Sequence, residues 1–171
     1  MLGAILKTVL FTVFVVGTVT VCVPYRIAAP VPLELLSPQT AIALVIILLG
    51  AAGYCATAFR FAIVGLGTPA PIAPTKTLVA SGLHRYVRNP MYISVLLVVV
   101  GESLLYDSWP VARYALFLWL AFHLFVLVYE EPTLRRQFGD PYVEYCRRTR
   151  RWLPRFPPIA LSSVDPAGAL C

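Results

Sequence analysis

Arg88-Asn89-Pro90 is the stretch of this chain best suited to chemistry. Asn followed by Pro starts a helix, with Asn89 as N-cap and Pro90 as the first helical residue. The free N–H groups of such a start, its positive dipole end and Arg88 together make a site for a carboxylate or phosphate. An ordinary capped helix whose arginines touch lipid phosphates accounts for the same residues equally well. Glu130-Glu131-Pro132 is the second candidate. Two adjacent carboxylates at the end of an apolar run need partners or water. Pro132 removes a donor and crowds the Val128 carbonyl, which predicts a bend and a helix end there. Glu131 and Arg135 stand four apart, so a helical ion pair accounts for one acid. Glu130 lies on a different face and is left over. His123 stands seven residues before Glu130, two turns deeper on nearly the same face. Ionisable groups in a membrane segment are functional candidates by default, although a neutral histidine bonded within the bundle is the plainer reading.

The elements that must hold these residues are membrane helices. Hydrophobic residues make up 59% of the 171-residue chain and charged ones only 13%, about half the usual share of charge. A chain this short buries only about 70% of its surface, so a bilayer must take the rest. Four apolar segments are predicted spans: Ala4–Val23, Thr40–Val64, Met91–Tyr106 and Pro110–Tyr129, judged against the roughly 20 residues a span needs. The third is short and carries Glu102, so it crosses with help from its neighbours. The first is longer than a signal-peptide core, which argues against a cleaved leader. Arg60, Lys76, Arg85 and Arg88 lie between the second and third spans, and seven arginines follow the fourth. The positive-inside rule then puts both termini and the middle loop in the cytoplasm. The net charge of +6 reads as a basic surface facing anionic lipid rather than nucleic acid. Cys22, Cys55, Cys146 and Cys171 have no metal-ligand spacing.

The expected fold is all-α: a polytopic membrane helix bundle of about four spans plus a C-terminal amphipathic helix. Residues 1–64 form an N-terminal hairpin in which Gly50 and Gly53 permit close helix packing. Residues 65–155 hold the chemistry. They open with a Gly- and Pro-rich turn (65–74) and close with an amphipathic helix from Pro141 to about Arg151, lying on the headgroups. Residues 156–171 have the composition of a disordered tail.

The run Ser81-Gly82-Leu83-His84-Arg85-Tyr86-Val87-Arg88-Asn89-Pro90-Met91-Tyr92 is followed by Glu130-Glu131-Pro132-Thr133-Leu134, Phe138-Gly139, Tyr142, Tyr145 and Leu153-Pro154. In order and spacing these resemble the isoprenylcysteine carboxyl methyltransferase and phospholipid methyltransferase superfamily over residues 76–155. The resemblance implies a membrane-embedded methyltransferase with a pocket for S-adenosylmethionine, open to the cytosol for the cofactor and to lipid for a lipophilic acceptor, without metal. Carried over position by position, it implies cofactor contacts at Lys76, Thr77, Leu78, Val79 and His84. Asn89, Pro90, Met91, Tyr92 and Glu130 complete the set.

Three positions depart from the eukaryotic carboxyl methyltransferases: Asn89 stands for a histidine, His84 for a tyrosine-like residue, and Val126 for the arginine that takes the acceptor carboxylate. With that arginine gone, His123 and Arg88 are the polar residues left to act on the acceptor. Methyl transfer to a carboxylate, as on an isoprenylcysteine, is the favoured expectation. N-methylation of a phospholipid or other amine, an NADPH-dependent membrane reductase and a non-catalytic membrane protein are the alternatives.

Overall fold

The computed structural model describes residues 2–28, 37–63, 78 and 80–158. These residues form helices and connections without a named strand, an all-α membrane bundle. The first helix runs from α1 (Leu2–Phe11) through π-helical turns at Thr12–Val16 and Thr18–Cys22 into α2 (Val23–Ile27). The second is α3 (Pro38–Ile63), and the third is α4 (Pro90–Leu105). The fourth joins α5 (Trp109–Phe125), a π-helical turn at Val126–Glu130 and α6 (Glu131–Phe138). A short 3₁₀ turn at Gly82–Arg85 precedes α4, and α7 (Asp140–Arg148) follows α6.

Three of these helices are long and apolar enough to span a bilayer: Thr8–Ile27, Pro38–Phe61 and Trp109–Phe138. The α4 helix is apolar but shorter. Its 16 residues rise about 24 Å against a hydrocarbon core of about 30 Å. It sits inside the bundle, and Glu102 is buried there, as expected for an acid in a membrane helix.

The helix boundaries differ from the sequence expectation at two prolines, for one reason. The first helix passes through Pro24 to Ile27 and the fourth passes through Pro132 to Phe138. Each proline lies two residues beyond a π-helical turn, where Val23 N–H reaches the Thr18 carbonyl and Glu131 N–H reaches the Val126 carbonyl. Widening the turn to i→i+5 relieves the crowding that a proline ring imposes on the preceding turn. The helix therefore continues where the sequence predicts an end.

Close packing of α3 on α4 fixes the bundle's centre. A Cβ on Gly50 would stand 2.7 Å from the Ser94 carbonyl oxygen, and one on Gly101 would stand 2.6 Å from Ile47. Only glycine admits that approach, as expected for Gly50. Around this contact Tyr54, Ala58, Val95, Val99, Val111, Ala115 and Leu118 form the core. Large apolar side chains such as Phe14, Leu48, Phe117 and Val128 point outward, a lipid-facing surface.

At the arginine-rich end a second, smaller core joins Leu78 and Ala80 to Tyr142 and Tyr145 of α7. The α7 helix stops at Arg148 instead of continuing to Arg151, because the chain then straightens into a strap. Arg88 N–H donates to the Arg150 carbonyl at 2.9 Å, and Arg155 N–H donates to the Tyr86 carbonyl at 2.8 Å.

Candidate active site

Two cavities meet at the start of α4. The larger, of about 440 Å³, lies among the first helix, α3, α4 and α5 and is mostly apolar. The smaller, of about 80 Å³, lies among the end of α3, the Val126–Glu130 turn, α6, α7 and the Leu78 segment. Phe61, His84, Arg88, Asn89 and Glu130 line both, so the polar residues form a waist between an apolar chamber and the arginine-rich end.

Glu130 comes to the waist through the π-helical turn, which adds a residue to that part of the helix. Its carboxylate accepts a hydrogen bond from the Tyr92 hydroxyl at 2.8 Å. Among the described residues no ion pair reaches it. Glu131, one residue on, is fully engaged. It pairs with Arg88 at 3.0 Å and Arg151 at 2.7 Å, not with the helical neighbour Arg135 that spacing predicts. The strap brings Arg151 to it, a tertiary event that no local spacing encodes.

Arg88 spends one guanidinium nitrogen on Glu131 and on the Cys146 sulfur. Its Nε is buried without a partner, an uncommon state for a cationic donor. Asn89 does not cap α4: its side-chain amide donates instead to the Arg151 carbonyl at 3.1 Å. The cap is lost to the strap, so the first-turn amides of α4 lack a side-chain acceptor, as a helix-start anion site requires.

His84 is buried against Phe61, with ring centroids 5.5 Å apart. Burial pushes its imidazole down to about 4, and the Arg60 charge adds to the effect against a backbone bond at Ser81. It is neutral at physiological pH. The Tyr145 hydroxyl donates to the His84 carbonyl at 2.8 Å, and burial raises its ionisation above the usual phenol value. Gly82 turns the chain into this segment with φ +63°, where its Cα faces the Arg60 side chain.

The structure thus brings Leu78, His84, Arg88 and Asn89 together with Pro90, Met91, Tyr92 and Glu130 around the two cavities. Lys76, Thr77 and Val79 lie outside the described residues, as do the turn at 65–74 and the tail from 159. His123 lies apart. It lines neither cavity, and its Nδ1 accepts from Trp152 Nε1 at 2.9 Å, with Trp119 stacked on its ring. The seven-residue spacing to Glu130 assumes an unbroken α-helix, and the intervening π-helical turn turns the two residues onto different faces.

Sequence reasoning missed the first helix, whose Phe11, Val15, Val16 and Val19 wall the larger cavity. It also missed the strap. A uniformly apolar helix gives no signal of which side faces a cavity.

The residues fit a zwitterionic amino-acid group. The orphaned Arg88 Nε and the uncapped amides suit a carboxylate, and the unpaired Glu130 suits an ammonium. The family model described as phospholipid methyltransferase matches residues 38–141, which takes in α3, α4, α5 and every described waist residue. No curated protein matches the chain. The chain therefore belongs to the phospholipid methyltransferase family and is a membrane methyltransferase.

Proposed function

We propose that the chain uses S-adenosylmethionine to methylate the polar head of a lipophilic acceptor that enters from the bilayer. The observation that supports this is the shared waist: a carboxylate and an orphaned cationic donor stand where an apolar chamber meets a smaller, more polar one. Residues 65–155, with α3, carry the chemistry, and the arginine-rich end faces the cytoplasm, as the positive-inside rule requires.

Bound at the waist, S-adenosylmethionine supplies an electrophilic methyl group on its sulfonium. Arg88 Nε and the α4 amides hold its carboxylate, and Glu130, steadied by Tyr92, holds its ammonium. His84 and Leu78 border the smaller chamber, on the side from which the cofactor enters. No metal is needed for an in-line displacement, where positioning and exclusion of water supply the rate. The apolar walls from α4 and α5 keep the acceptor head dry and aligned.

The charge inventory favours an amine head over the carboxylate that the sequence resemblance suggests. Arg88 is the one arginine or lysine on the larger cavity among the described residues, and its spare donor serves the cofactor. Glu130 is the one acid there. An ammonium acceptor must lose a proton before its nitrogen attacks, and an apolar chamber favours the neutral amine over its charged form. The family's phospholipid description points the same way.

The test is twofold. S-adenosylhomocysteine at 100 times its dissociation constant should stabilise the purified protein by about 2.7 kcal/mol, and NADPH should not. Labelled methyl transferred to membrane lipids should survive alkaline hydrolysis, as an N-methyl group does. Release of labelled methanol would instead mark an ester and a carboxylate acceptor. Stabilisation by NADPH alone would replace the methyl-transfer reading with a reductase.

A further inference from the structure

We propose that the first helix, at Val15, Val16 and Val19, gauges the hydrocarbon tail of the acceptor, admitting it through a lateral opening between this helix and α5. The inference rests on the methyl-transfer reading and adds to it what selects the acceptor. The matched family segment begins at residue 38, so this wall of the cavity lies outside it.

The opening follows from which residues are exposed. Val15 lines the larger cavity and is also 46% exposed. Ala121, across the cavity on α5, likewise lines it and is exposed. Residues that face both a cavity and the outside mark its rim. The first helix touches α3 near its beginning and α4 and α5 near its end, and Val15 and Val16 fall between those contacts. The Thr12 and Tyr54 hydroxyls, 2.8 Å apart, pin the helix just before the rim.

Deeper in, Val16 and Val19 are half-buried against the central core, so they narrow the passage rather than edge it. The π-helical turns Thr12–Val16 and Thr18–Cys22 flank Gly17 and set the faces on which these valines fall. Ala121 precedes Glu130 by nine residues, about 13 Å along the helix. A tail whose head sits at Glu130 therefore reaches the rim and leaves into the bilayer beside Val15. A single misfitting methylene in an apolar pocket changes discrimination about 10- to 200-fold, so the bulk of three valines suffices to choose among tails.

The experiment uses the full chain in nanodiscs of total membrane lipid, with S-adenosylmethionine carrying a labelled methyl group. Mass spectrometry of the labelled lipids reads the tails directly, without knowledge of the head group. Val15→Trp crowds the rim and should lower labelling of the longest or bulkiest tails about 10- to 200-fold relative to the shortest. Val15→Ala should shift the profile the other way. Phe14→Trp, on the neighbouring lipid-facing position 68% exposed and off the cavity, should match the wild type. Stabilisation by S-adenosylhomocysteine should be the same in all four proteins. An unchanged tail profile in both Val15 variants, or a uniform fall across all tails, overturns the gauge while methyl transfer stands. Absence of any labelled lipid with the wild-type chain overturns methyl transfer to lipid, and the gauge with it.

Discussion

Glu130 and Glu131 are neighbours in different surroundings, one accepting from Tyr92 and the other holding two arginines, and substitution should separate the roles proposed for them. Glu130→Gln keeps the Tyr92 contact possible but removes the negative charge, so stabilisation by S-adenosylhomocysteine should disappear while the melting temperature of the free protein holds. Glu131→Gln should do the reverse. It leaves Arg88 and Arg151 without their shared carboxylate and should cost about 3 kcal/mol, the low end for a broken buried pair because Arg151 is partly exposed. Thermal unfolding with and without ligand distinguishes the two. His84 makes a pH prediction. Its folded-state value of about 4 lies below the ordinary 6.5, so the neutral form is the one the fold accepts. Stability should be complete above pH 6.5 and fall as the pH drops toward 4, because the unfolded chain takes up the proton first. His84→Gln should flatten that decline in acid melts. The sequence disclosed Glu130 and the Asn89-Pro90 start because local spacing carries them. It did not disclose Arg151, which reaches Glu131 and Asn89 from a strap some 20 and 60 residues away.

At the scale of elements, the π-helical turns just before Pro24 and Pro132 explain most of the misjudged boundaries. Hydrophobic periodicity tells a helix from a strand, but one extra residue in a turn changes which residues share a face without altering composition. That is why the position of His123 relative to Glu130 was illegible while the existence of each apolar helix was plain. The α3–α4 contact, by contrast, was readable from Gly50. Gly50→Val should destabilise the bundle by about 1–3 kcal/mol, since its Cβ would meet a backbone oxygen at 2.7 Å that has no rotamer to change. Differential scanning fluorimetry in detergent measures this. The strap is anchored to the membrane helices by the Trp152–His123 bond. Trp152→Phe should loosen it by about 1 kcal/mol, one hydrogen bond. Faster tryptic cleavage at Arg155 reads that loosening, with cofactor affinity little changed.

For the molecule as a whole, four crossing helices and the positive-inside rule would put Asp107 and the strap on opposite sides of the bilayer. Single cysteines introduced at Asp107 and at Leu153, on a background lacking the native ones, should react with an impermeant thiol reagent from opposite faces of sealed vesicles. Reaction from the same face would remove the cytosolic route for the cofactor. On the proposed reaction, the two chambers joined at one waist also determine how the enzyme must be assayed. Its water-borne reactant obeys bulk concentration, whereas the acceptor partitions into a two-dimensional phase and is counted as mole fraction. Adding inert detergent at constant total acceptor should therefore slow turnover by surface dilution, with the apparent KM for S-adenosylmethionine unmoved. The rate is then set by the crowding of acceptor within the film around the protein, a variable that bulk molarity does not record.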